Sequence, residues 1–223
     1  MSTEPTSSRS VSTRVVLADD HGMVREALRK LIEARGDIQV VAEAGDGREA
    51  VELCARHRPD VAVIDLWMPR LSGADATRQI VSQGGTAVLI LTMHESWSHV
   101  RDALMAGASG YVVKTAASSQ LLEAIDAVRA GRAFVSPAIS QHVVDAVRAG
   151  DDRRAGPLAV LTERERQVLQ LVAEGLSSKE IAAQLGLSVK TADAHRANLM
   201  SKLQIRKTSG LVRFAIREGL IAP

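Results

Sequence analysis

The chain has 223 residues, 46% of them hydrophobic, and a net charge of +2, which suits one or two folded domains and excludes a mainly disordered protein. Its single cysteine, Cys54, excludes an internal disulfide framework, makes a zinc cluster with any of the six histidines implausible, and fits a reducing compartment. No apolar run reaches the ~18 residues of a membrane span, and residues 1–13, rich in Ser and Thr, lack the apolar stretch of a secretory signal, so a cytoplasmic location without membrane association is expected.

The charge is unevenly spread. Residues 14–137 carry 14 basic and 16 acidic side chains, whereas residues 155–223 carry 10 basic and 6 acidic ones. The C-terminal part is therefore expected to meet a polyanion. With only 2% aromatic residues, binding of single strands by base stacking is disfavoured.

In chain order, residues 1–13 are expected to form a flexible tail, followed by a first domain over 14–131. Short apolar runs near 14–18, 38–43, 61–65, 87–92 and 109–113 predict strands. Amphipathic stretches near 22–34, 47–57, 73–82, 97–106 and 118–130 predict the helices between them. This alternation predicts an α/β fold, a flavodoxin-like doubly wound parallel sheet of five βα units. Residues 132–157 are expected to form a linker. Within it Ser136-Pro137 can open a helix, and residues 150–157 read as flexible.

From 158 to 223 the pattern is all helical. Thr162 with Glu165 and Ser177 with Glu180 are capping boxes, Gly186 stands after a helix ending at Leu185, Ser188 caps a third helix over about 189–203, and a fourth covers about 207–218. Two helices joined by Leu185-Gly186-Leu187-Ser188 make a helix-turn-helix. In the third helix Val189, Ala192, Leu199 and Leu203 are expected on or near the inner face.

The chemistry lies at the strand ends. One run ends in Asp19-Asp20, another in Asp65, a third in Thr92 and a fourth in Lys114. In an open α/β sheet these tips share one edge, where sites form. Clustered carboxylates favour a hard cation with oxygen ligands such as Mg²⁺. An Asp can attack phosphorus, and a lysine can stabilise the equatorial oxygens of a transferring phosphoryl group.

Asp19-Asp20, Asp65 with Met68-Pro69 and Gly73, Thr92, Ala108-Ser109-Gly110-Tyr111 and Lys114 together resemble the receiver domain of two-component response regulators. The resemblance implies Asp65 as phosphoacceptor. It implies Asp20, Asp65 and the carbonyl of Trp67 as direct Mg²⁺ ligands, with Asp19 acting through water. It further implies that Thr92 and Lys114 contact the phosphoryl group while Tyr111 changes rotamer. Trp67 and Met93 depart from the common receiver pattern. They are expected either to shield the acyl phosphate from water or, for Trp67, to face a partner.

Residues 158–221 resemble the NarL/FixJ (LuxR-type) effector domain through Leu161-Thr162-Glu163-Arg164-Glu165, Ala173-Glu174-Gly175, Lys179-Glu180-Ile181-Ala182, Leu187-Ser188-Val189-Lys190-Thr191, His195, Leu199 and Lys202-Leu203. Ala192 stands where that family often has Val. The resemblance implies a recognition helix in the major groove of double-stranded DNA. Candidate contacts are Lys179, Ser188, Val189, Lys190, Thr191, Asp193, Ala194, His195, Arg196, Ala197, Asn198 and Lys202. Asp193, Ala194 and Ala197 would face bases, while Lys179, Lys190, Thr191, Arg196 and Lys202 would hold phosphates. His195 can equally be a core-edge residue. The expected partners are DNA, a sensor histidine kinase, RNA polymerase and a second copy of the chain; enzymatic turnover is not expected. Three alternatives stay open: a regulator that binds DNA without phosphorylation, a flavodoxin-like nucleotide binder, and a ligand-sensing LuxR-type receptor. The second is disfavoured by Asp19-Asp20-His21-Gly22 where a Gly-rich phosphate loop would stand.

Overall fold

A computed structural model describes residues 12–93, 97–115, 118–148 and 157–221. Most of the expected N-terminal tail and the 149–156 portion of the expected linker lie outside the described residues. The elements are β1 Thr13–Ala18, α1 Gly22–Glu33, β2 Ile38–Ala44, α2 Gly47–His57, β3 Val61–Ile64, α3 Gly73–Gln83, β4 Ala87–Thr92, α4 Trp97–Met105, β5 Gly110–Val113, α5 Ser118–Arg129, β6 Phe134–Val135 and α6 Pro137–Arg148. A turn of 3-10 helix at Pro157–Val160 precedes α7 Glu163–Ala173, α8 Ser178–Leu185, α9 Val189–Leu203 and α10 Thr208–Arg217.

All paired strands run parallel, in the order β2-β1-β3-β4-β5-β6. The five expected βα units are present. The two-residue β6, too short to show as an apolar run, adds a sixth strand beside β5. The continuous apolar runs reflect burial on both faces. Val16, Ala18, Ala62, Ile64, Val88, Ile90, Tyr111 and Val113 turn to one side, where Ala50 and Cys54 of α2, Ile80 of α3 and Val100 and Ala103 of α4 cover them. Their neighbours in sequence, Val15, Leu17, Val61, Val63, Leu89, Leu91 and Val112, turn to the other side, under Ile32 of α1 and Leu121, Ala124, Ile125 and Val128 of α5. Because the strands run parallel, the residues just past each strand come to one edge of the sheet.

Helices α7–α10 enclose a separate core that includes Val168, Leu169, Leu171, Ile181, Leu185, Leu199, Leu211 and Phe214. Both expected capping boxes form, Thr162 with Glu165 and Ser177 with Glu180, and Gly186 ends α8 in the left-handed region at φ 65°. In α9 Ala192 and Leu199 are buried and Leu203 half-buried. Val189 departs from its expected inward place. It is 46% exposed, because it is the first helical residue after the Ser188 cap and lies beyond the reach of the core.

The two halves touch through α7. Arg166 pairs with Asp75 at 3.1 Å, Gln79 donates to Glu163 at 2.7 Å, and Gln170, fully buried, bonds the backbone of the loop between β3 and α3. At the end of α10, Gly219 (φ 69°) lies against the His99 imidazole of α4, where any side chain would collide.

Candidate functional site

The strand order reverses between β1 and β3, and the crevice at such a switch point is where doubly wound sheets hold ligands. Asp19 and Asp20 follow β1 and Asp65 follows β3, so these acids meet at that crevice. The Asp65 amide donates to the Ala18 carbonyl at 2.8 Å and the Asp19 amide to the Ala44 carbonyl, which extends the sheet pairing to the acids themselves. Lys114 follows β5, and its amide donates to the Thr92 carbonyl at 2.7 Å.

The Lys114 ammonium lies 2.6 Å from Asp19 Oδ2 and 2.6 Å from Asp65 Oδ2. Asp19 and Asp65 are buried, while Asp20 is exposed. Burial pushes the Asp65 carboxyl up; Lys114 opposes this and the neighbouring Asp19 reinforces it. Burial acts against the charge on Lys114, but Asp65 and Asp19 outweigh it and hold the ammonium above its ordinary value.

One ammonium thus serves two buried carboxylates, with a third acid beside them. Ligand atoms of Asp19, Asp20, His21 and Asp65 all lie within 4.8 Å of one another. The His21 imidazole was not among the expected site residues. Its Nδ1 stands 2.7 Å from Asp20 Oδ1, and its amide donates to Asp19 Oδ1 at 2.9 Å. Adjacency to Asp19-Asp20 was the only signal of this in the sequence. A cluster with surplus negative charge and mainly oxygen donors fits a hard divalent cation such as Mg²⁺.

Gly73 explains how the loop after Asp65 stays tight. Its amide donates to the Leu66 carbonyl at 2.8 Å, and a Cβ there would collide with the Asp65 carbonyl oxygen. Trp67 is half-buried, with its ring edge-on to His99 at 5.8 Å between centroids. Met93 is 59% exposed, so of these two departures from the receiver pattern only the Trp67 indole packs against the core. Thr92 and Tyr111 are fully buried, Tyr111 on the sheet face covered by α4.

In the helical half, Lys179, Lys190, Asp193, Ala194, Ala197 and Asn198 are exposed and His195 is half-buried. Ser188 and Thr191 are engaged in the cap of α9: Ser188 Oγ accepts from the Thr191 amide at 3.1 Å and lies 2.7 Å from its hydroxyl. Arg196 donates to Thr208 Oγ1 at 2.6 Å, at the start of α10. Lys202 pairs with Glu165 at 2.7 Å, tying the end of α9 to the capping box of α7.

A family model described as the response regulator receiver domain matches residues 15–126, and one described as bacterial regulatory proteins, luxR family, matches residues 159–215. The oxygen regulatory protein NreC of Staphylococcus carnosus (strain TM300) is 36% identical over 214 residues, covering 93% of this chain and 99% of that protein. Among solved structures, the response regulator ChrA of a heme-sensing two-component system is 35% identical, with a TM-score of 0.53 over 95% of this chain and all of that one. A structure of two RcsB dimers bound to two parallel DNAs is 26% identical, with a TM-score of 0.56, and covers 91% of this chain and 97% of that one. Among the described residues no helix is long and apolar enough to cross a membrane.

Proposed function

The chain belongs to the response regulators that join a receiver domain to a LuxR-type DNA-binding domain, and from this we propose that a phosphoryl group on Asp65 controls how α9 reads double-stranded DNA. The observation that carries the reading is the Lys114 ammonium 2.6 Å from both Asp19 and Asp65 at the switch point of the sheet. Such a pocket holds an acid nucleophile and a cation for the incoming phosphoryl oxygens side by side.

In this reading an Asp65 carboxylate oxygen attacks the phosphorus of a phosphohistidine on a sensor kinase. The P–O bond forms as the P–N bond breaks, and the histidine leaves with its electron pair and takes up a proton. Lys114 then turns from Asp65 to the phosphoryl oxygens, and the Thr92 hydroxyl donates to one of them. Asp20, Asp65 and the Trp67 carbonyl would hold Mg²⁺ directly and Asp19 through water. The ion supplies charge neutralisation for the acids and the phosphoryl group.

The chain is a carrier of the phosphoryl signal rather than an enzyme with a turnover substrate, and it acts in the cytoplasm. Lys179, Lys190 and Arg196 would hold phosphates, and Asp193, Ala194 and Ala197 would face bases. A two-fold DNA site would take two copies of the chain, with RNA polymerase as the downstream partner.

The test is transfer of labelled phosphate from a small donor such as acetyl phosphate, together with genome-wide footprinting of wild type against Asp65→Ala. Label on wild type that disappears in Asp65→Ala, with a matching loss of footprints, is the expected result. Footprints identical in both proteins would favour the reading in which DNA binding needs no phosphorylation.

A further inference from the structure

We propose, on the reading that the acid cluster holds Mg²⁺, that Gln170 of the DNA-binding domain is a positioning residue for the metal-binding loop of the receiver. Docking of α7 and binding of the ion are thereby coupled. The loop runs from Leu66 to Ser72, between Asp65 and the start of α3, and contains Trp67, the residue whose carbonyl would ligate the ion.

Gln170 of α7 and Glu174, the C-cap of that helix, face this loop, while Glu163 and Arg166 reach Gln79 and Asp75 of α3; the four are spaced by three, four and four, which places them on one side of the helix. Gln170 reads the loop backbone with both ends of its amide. Its Oε1 accepts from the Ser72 amide at 2.9 Å, and its Nε2 donates to the Met68 carbonyl at 2.9 Å. Glu174 Oε1 accepts from the Arg70 amide at 3.1 Å and from Gln170 Nε2 at 2.9 Å. Three backbone positions of a seven-residue loop are therefore held by two side chains more than ninety residues away.

The conformation they hold is not one the loop takes at no cost. Arg70 sits in the left-handed region at φ 67°, which is uncommon for a residue other than glycine and persists where the surroundings enforce it. Glu174 enforces it from the backbone side, and Asp46, the N-cap of α2, pairs with its guanidinium. At the loop's start, Trp67 packs edge-on against His99, which in turn lies against Gly219 at the end of α10. Contacts from α7 and from the end of α10 thus both bear on the loop that leads out of Asp65.

The recognition surface is elsewhere. Lys190, Thr191, Asp193, Ala194, Ala197 and Asn198 are exposed while α7 is docked. Docking therefore leaves the reader open and constrains the pocket instead. A loop held in one conformation before the ion arrives loses less freedom on binding, so ion affinity is higher in the docked chain. By linkage, the ion strengthens docking by the same factor.

The test uses the full chain with Trp97→Phe, which leaves Trp67 as the only indole. Mg²⁺ is titrated by Trp67 fluorescence, and amide hydrogen exchange is read at Arg70 and Ser72. Gln170→Leu keeps the volume and loses both amide bonds. It should accelerate exchange at Ser72 and raise the Mg²⁺ dissociation constant about fivefold, within the range of ordinary coupling energies. In the parent, saturating Mg²⁺ should slow exchange at Arg70 and Ser72.

Faster exchange with a dissociation constant within twofold of the parent overturns the proposal, as does exchange that the substitution leaves unchanged. Should Gln170→Leu fail to fold, Glu174→Ala, at a half-buried site, carries the same pair of measurements at Arg70. A parent that shows no Mg²⁺ response sensitive to Asp65→Asn would instead sink the metal reading itself, a result distinct from loss of coupling alone.

Discussion

Lys114 stands equidistant from Asp19 and Asp65, so one positive charge is divided between two negative ones. A cation that enters the cluster competes with this ammonium for the same oxygens. Lys114→Gln should therefore tighten Mg²⁺ binding, by about 3- to 10-fold for a unit charge removed at such range. The same change should slow phosphoryl transfer from acetyl phosphate, because the ammonium that meets the phosphoryl oxygens is gone. Calorimetric titration and label incorporation check the two halves, and weaker Mg²⁺ binding in the variant would refute the competition. The acids and the lysine were legible in the sequence because each ends an apolar run, and strand tips of a parallel sheet share an edge. That Lys114 bridges both acids was not legible, since 49 and 95 residues separate the partners. Lys202 shows the opposite case: a lysine on an exposed helix reads as a phosphate contact, yet its ammonium lies on Glu165 of a distant turn.

Glu165 belongs to the helix scale, because it closes the capping box of α7 and anchors the end of α9 at once. Burial pushes its carboxyl up, but Lys202 and the amide and hydroxyl of Thr162 outweigh this and hold it below the usual carboxylate range. An acid whose folded value is depressed stabilises the fold above its ordinary value of about 4.5, and that stability is lost as pH falls through the lower folded value. Glu165→Gln should therefore cost about 1 kcal/mol at pH 7, with the gap to wild type closing below about pH 4.5. Amide exchange at Leu169 and Leu199, both fully buried, reads this local stability, and a gap that does not change with pH would refute the account. Helix ends were the most legible elements. Thr162, Ser177 and Ser188 each announce a boundary by a side chain that bonds a backbone amide three residues on, and Gly186 by the left-handed backbone that glycine adopts at no steric cost. β6 has no such signature, because two residues carry no period and its pairing with β5 is set by the chain's return after α5.

At the scale of the whole chain, nothing in the sequence pointed to α7 as the docking helix. A stripe of Glu163, Arg166, Gln170 and Glu174 reads as a solvated face, and the burial of Gln170 within it depends on a loop about a hundred residues earlier. The pair of Arg166 with Asp75, 13% and 1% exposed, is well sheltered, and Arg78 also reaches Asp75. Arg166→Asp places a second carboxylate against it and should lower the docking equilibrium constant at least tenfold, about 1.4 kcal/mol or more. Small-angle scattering should then show a larger radius of gyration, and an unchanged radius would count against the α7 contact. The order β2-β1-β3-β4-β5-β6 has a further consequence for how the chain is made. Once β1 and β2 have paired, every later strand joins the same growing edge in the order in which it is synthesised. The whole sheet is available when Val135 leaves the ribosome, before Glu163 has emerged from it. The loop after Asp65 is thus built first and waits for its helix, so newborn chains carry a finished pocket whose clamp closes last.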